Sequence, residues 1–203
     1  MLYSAGMPRA PIGSEQIAAW AASRGLAYRP APDEAWFRDW EPFDTMAPPT
    51  LYLNACTWPQ MPGQVTVVEP WYAPEDGTPL DRTIVAFANH PGLRFKASMR
   101  AGEHFLTRVA FIESKPPPEV KLGDELWDKH VTTFAWTAQE GGAAFHRRVR
   151  RLLAGWGFQG HIELRQGGLV CHYAGLVPNA RDYDRMLFIV RDLVNTAVNY
   201  PPP

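Results

Sequence analysis

The sequence predicts an α+β fold with a mainly antiparallel sheet, helices at both termini and a C-terminal β-α-β-β-α unit. Three observations carry this expectation. The central segments alternate apolar and polar residues with a period of two. The two ends carry apolar residues at helical spacing. Few of the connections between strands are long enough for the crossover helix that parallel pairing requires.

Near the N-terminus, Ser14 is placed to cap a short helix bearing Ile17, Trp20 and Ala21, and Gly25 ends it. A further helical turn is expected after Asp33, carrying Trp36, Phe37 and Trp40. From Pro49 the pattern changes to strands, over 51–56, 65–71, 82–88, 93–99 and 105–112. Pro116, Pro117 and Pro118, followed by Lys121 and Gly123, form a stiff connector.

Beyond the connector a strand is expected over 129–136. Thr137 with Glu140 three residues on has the form of a capping box, so a helix should start at Ala138. Ala138, Gly141, Gly142, Phe145, Val149, Leu152, Leu153 and Trp156 recur on one face of that helix. Its two glycines fall on the inward face, where they permit close approach to a sheet, and no phosphate-loop pattern of glycines surrounds them. A hairpin follows with Gly167-Gly168 as the expected turn, which pairs Leu164 with Cys171, Ile162 with Tyr173 and Glu163 with His172. Asn179 caps a last helix with the stripe Tyr183, Met186, Leu187, Val190, Leu193, Val194 and Ala197, and Pro201 to Pro203 stop it. The expectation is one domain over 1–203 with two lobes, a strand-rich one over 12–114 and the β-α-β-β-α one over 124–200, joined by the connector 115–123.

Composition narrows the function classes. With 203 residues, 46% hydrophobic and 20% charged, the chain is ordinary globular material, and its 20 prolines imply rigid loops. A formal charge of -1 argues against a general nucleic-acid binder, which needs a cationic surface to neutralise phosphates. Cys56 and Cys171 form neither a disulfide framework nor a zinc spacing, so no metal or other cofactor is expected. No apolar run approaches a signal-peptide core or a membrane span, which makes the cytoplasm the expected compartment and gives no membrane partner.

Two basic features and one aromatic one are the candidate sites. Along 93–100, Leu93, Phe95, Ala97 and Met99 alternate with Arg94, Lys96, Ser98 and Arg100, so one face is apolar and the other cationic. Arg108 on the next expected strand comes to lie opposite Arg94. Like charges across strands are unfavourable, so an internal carboxylate such as Glu69 or Glu113, an acidic partner or an anionic ligand should lie over them. The run His146, Arg147, Arg148, Arg150, Arg151 is read as the solvated face of the long helix with its cations toward the negative dipole end, or as a grip for phosphate or an acidic partner. Trp36, Phe37 and Trp40 supply either core packing or an interaction surface.

Catalytic readings find little to stand on. Cys171 and His172 are adjacent on a strand and face opposite sides, so they cannot act on one another as nucleophile and base. The expected function is therefore a non-catalytic cytoplasmic binding or scaffolding protein with a protein partner or self-association. The alternative is a small enzyme or binding domain for an anionic metabolite.

Overall fold

In the computed structural model, residues 10–33, 49–58, 63–72, 81–102 and 117–199 are described. The described residues form one nine-stranded sheet: β1 (Ala27–Arg29), β2 (Leu51–Trp58), β3 (Gln64–Trp71), β4 (Val85–Asn89), β5 (Ala97–Ala101), β6 (Glu119–Val120), β7 (Val131–Phe134), β8 (Gly160–Arg165) and β9 (Gly168–Tyr173). Their order in space is β1-β2-β3-β4-β9-β8-β5-β7-β6, and every pairing is antiparallel. The β8–β9 hairpin thus inserts between β4 and β5. Five helices complete the described chain: α1 (Ser14–Ser23), α2 (Glu125–His130), α3 (Ala138–Ala144), α4 (Arg147–Gly155) and α5 (Ala180–Val198).

Strand alternation sends Cys56, Val67, Ala86, Ala88, Ala97, Met99, Ile162, Leu164, Leu169 and Cys171 to the face covered by helices, where they meet Ile17, Val149, Leu153, Tyr183, Met186, Val190 and Leu193. The expected α5 stripe is buried from Tyr183 to Val194, and Asn179 Oδ1 accepts the Asp182 amide at 2.9 Å as its N-cap. Each of these large apolar side chains contributes about 1.5–3 kcal/mol. The opposite face holds a smaller cluster of Tyr52, Ala55, Val68, Val85, Phe87 and Val170.

Four local expectations are corrected. Gly13, with φ of 94°, is the N-cap of α1, and Ser14 is its first residue with a buried side chain. The expected strand over 129–136 is shortened by α2, because Asp124 Oδ1 accepts the Trp127 amide and both oxygens of Asp128 accept the amides of Leu122 and Gly123. Asp124 satisfies a free donor of the helix start and Asp128 ties down the two residues before the cap, so the chain is helical through His130.

The single helix expected over 138–156 is two helices. Thr137 does cap the first, its Oγ1 accepting the Glu140 amide at 3.1 Å. At Phe145, however, ψ is 56°, and His146 is extended with ψ of 165°. Phe145 is fully buried 5.9 Å from the Trp127 ring, and its freed carbonyl accepts Arg150 Nη1 at 2.8 Å. Burial of a large ring and a charged donor to the orphan carbonyl outweigh continued helical geometry.

The hairpin register also moves. Its two-residue turn is Gln166-Gly167, with φ of 75° at Gly167, so Leu164 pairs with Leu169, Ile162 with Cys171, Glu163 with Val170 and His161 with His172. Gly167 is tied on both sides to the preceding loop, donating to the Leu93 carbonyl and accepting from the His90 amide. A two-residue change of partner keeps every side chain on its expected face, which is why Cys171 is buried as expected.

Candidate binding cleft

A cleft lies between α2 and α4. Helix α2 forms one wall, α4 the other, and the floor is β5, the start of β7 and the turn after α4. The cavity measures about 480 Å³. Its lining is mostly apolar: Met99 and Ala101 from β5, Trp127 from α2, Val131 from β7, Leu153 from α4, and Phe158.

Its two aromatic groups are held from behind. Trp127 Nε1 donates to Thr133 Oγ1 at 2.9 Å, and the Phe158 ring stacks on Tyr173 at 4.9 Å between centroids. Leu126 stands on the rim with 70% of its surface exposed.

The polar rim comes from α4 and the ends of α2. Arg147, Arg150 and Arg151 face the cleft with Asp124 and His130. Arg150 Nε donates to Asp124 Oδ2 at 2.9 Å while its Nη1 holds the Phe145 carbonyl, so this arginine is a brace between the walls. The Trp127 amide, and then Arg150, hold the Asp124 carboxyl below the usual carboxylate range.

Arg147 and Arg151 are exposed and make no ion pair among the described residues. The helix break corrects the dipole expectation for this run: Arg147 and Arg148 sit in the first turn of α4, at its positive end. His146 is buried at the N-cap, and that burial lowers its pKa.

The residues singled out in sequence have other surroundings. Arg94 is exposed and lies with Lys96 in a segment outside any strand, since the ladder begins only at Ala97. Arg100 is half-buried on the helix-free face, 5.6 Å from the Phe134 ring centroid, where burial lowers its pKa and the charge of Glu163 opposes that shift. The carboxylate near Arg100 is thus Glu163, while Glu69 belongs to a different arginine. Arg108, Trp36, Phe37 and Trp40 lie outside the described residues, as do Glu113 and the strand expected over 105–112.

Two polar clusters are buried within the sheet. On the helix side at β2–β3, both oxygens of the fully buried Glu69 are held by Arg82, Nε to Oε1 at 2.6 Å and Nη2 to Oε2 at 2.9 Å. Asn54 Nδ2 donates to the same Oε2 at 3.1 Å, and Tyr28 Oη donates to Asn54 Oδ1 at 2.8 Å. Asn54 sits at the β2 bulge with φ of 54°, a strained position kept by these contacts. A carboxylate clamped on both oxygens and fully buried braces the sheet. The neighbouring Cys56 thiol is pushed up to about 12 by burial, far from a thiolate nucleophile.

On the other face, His172 Nε2 lies 2.9 Å from Thr83 Oγ1. The His161 pKa is lowered to about 3, first by burial and then by Arg100. At 3.9 Å from Glu163, that neutral imidazole makes a polar contact rather than an ion pair. Among the described residues, no three His, Cys, Asp or Glu side chains group as a metal ion requires, and no helix is long and apolar enough to cross a membrane.

The expected elements place no helix over 125–130 and begin a strand at 129, so the cleft has no wall in them. The signal available was Asp124 after Gly123, an N-cap residue three positions before Trp127.

The architecture is thus an α+β antiparallel sheet layered with helices and carrying an arginine-rimmed apolar cleft. The crystal structure of the mycobacterial trehalose monomycolate transport factor A, TtfA, is similar in fold, with a TM-score of 0.60 and 14% identity over 94% of this chain and 96% of that one. No protein-family model matches the sequence, and no curated protein matches it.

Proposed function

We propose that this chain is a non-catalytic binding protein that works through the α2–α4 cleft, holding an apolar group of its ligand beside the arginine rim. The observation that carries this reading is the cavity of about 480 Å³, within the roughly 300–1,000 Å³ that small-molecule sites occupy, with a floor continuous with the core. The protein that shares the fold is called a transport factor. A carrier role of that kind, exercised in the cytoplasm, is the form of binding we assign. The two halves act as lobes of one domain in this reading, since β5 of the first half lies between β8 and β7 of the second.

The test is titration of the full chain with N-phenylnaphthylamine, a neutral apolar probe whose fluorescence rises when it leaves water. The expected result is saturable binding at one site, weakened about tenfold or more by Ala154→Trp, because Ala154 is exposed on the cleft wall and an indole there obstructs the opening. The thermal midpoint of the variant should stay near that of the parent. Absence of binding, or equal binding by the variant, refutes the cleft as the site.

A further inference from the structure

Resting on that reading, we infer that the occupant is a single-chain amphiphile with an anionic head, a long-chain carboxylate being the simplest example. Volume decides against a partner helix. A helix is about 10–12 Å across, so roughly one turn of it would fill the cavity, too little to anchor a protein. A flexible apolar chain can instead lie along Trp127, Met99, Leu153 and Phe158 with its end at the mouth.

Charge selects the head. Three arginines line the cleft against one carboxylate, which leaves an excess of two positive charges. Because Arg150 is committed to Asp124 and the Phe145 carbonyl, that excess resides on Arg147 and Arg151. These two are four residues apart and so project from one side of α4. Both are exposed at the mouth, where a head group stays partly hydrated while its tail leaves water. An anion there also relieves the repulsion between Arg147 and the positive end of α4. The exposed Leu126 on the opposite rim gives the first methylenes of the tail an apolar lip.

The experiment measures displacement of N-phenylnaphthylamine from the full chain by dodecanoate, dodecanol and dodecyltrimethylammonium, all below their micelle concentrations, and by acetate. Dodecanoate should bind about tenfold more tightly than dodecanol and more tightly still than the cation, and acetate should not compete. Arg147→Gln with Arg151→Gln should bring dodecanoate to the level of dodecanol and flatten its salt dependence, a loss larger than any change in dodecanol or probe binding by the same variant. Equal binding of dodecanoate and dodecanol overturns the anionic head while leaving the cleft reading intact. Competition by acetate at the same concentrations overturns the chain requirement. Probe binding that no amphiphile displaces overturns the inference, whereas failure of the probe itself overturns the reading beneath it.

Discussion

Replacing Arg82 by Ala should be among the most destabilising changes in the described structure. Glu69 is fully buried and receives three hydrogen bonds, two of them from Arg82, whose side chain is 31% exposed. Without Arg82 the carboxylate keeps only the Asn54 amide and is left as a buried, nearly unpaired charge. Breaking a buried pair in this way costs about 3–5 kcal/mol. Partial exposure of Arg82 admits water once the side chain is gone, which points to the lower end, about 3 kcal/mol.

For a chain of this length that corresponds to a fall in thermal midpoint of about 6–12 °C. Adding Glu69→Gln removes the charge while keeping an acceptor for Asn54, and should restore about 2 kcal/mol of the loss. Urea unfolding of the parent, both single variants and the double variant closes the cycle. A cost below about 1 kcal/mol for Arg82→Ala, or a coupling below about 0.5 kcal/mol, would refute the claim that the pair braces β2–β3.

Further expectations follow from individual positions. A Cβ on Gly141 would meet Leu122, Val120 and Ala135 at 3.2–3.4 Å, whereas one on Gly142 meets nothing within 4 Å; Gly141→Leu should therefore cost about 1–3 kcal/mol and Gly142→Ala should add up to about 1 kcal/mol, as read from denaturant midpoints. Cys56 and Cys171 are both fully buried, so a thiol reagent should label neither until the chain is unfolded, and rapid native labelling of Cys171 would place the hairpin out of register. His161 stays neutral in the folded protein down to about pH 3, while in the unfolded chain it takes a proton near pH 6.5. The unfolded state then binds more protons, and stability should fall as pH drops from about 6.5 toward 3, by up to about 1.4 kcal/mol per unit. His161→Gln should flatten that slope in urea titrations at successive pH values, and an unchanged slope would show that other groups set it.

Local chemistry made much of this protein legible from its sequence. The α+β class, the Asn179 cap, the α5 stripe, the inward phase of Gly141 and the burial of Cys171 all follow from periodicities and caps that span a few residues. Such features are set by backbone geometry and by which face must leave water, so they need no knowledge of distant partners. The tertiary structure decided the rest. Phe145 interrupts a helix that its own segment would continue, because a buried site beside Trp127 and a guanidinium from the next turn await it. Gln166-Gly167, rather than Gly167-Gly168, makes the turn, with Leu93 and His90 binding the Gly167 backbone. Glu69 meets Arg82 rather than the arginines of the 93–100 segment because strand order, a long-range outcome, chooses neighbours. The cleft has the same origin: its lining is drawn from positions 99 to 159, and the long-range contacts of Trp127 with Phe145 and of Asp124 with Arg150 set α2 opposite α4 over an apolar floor.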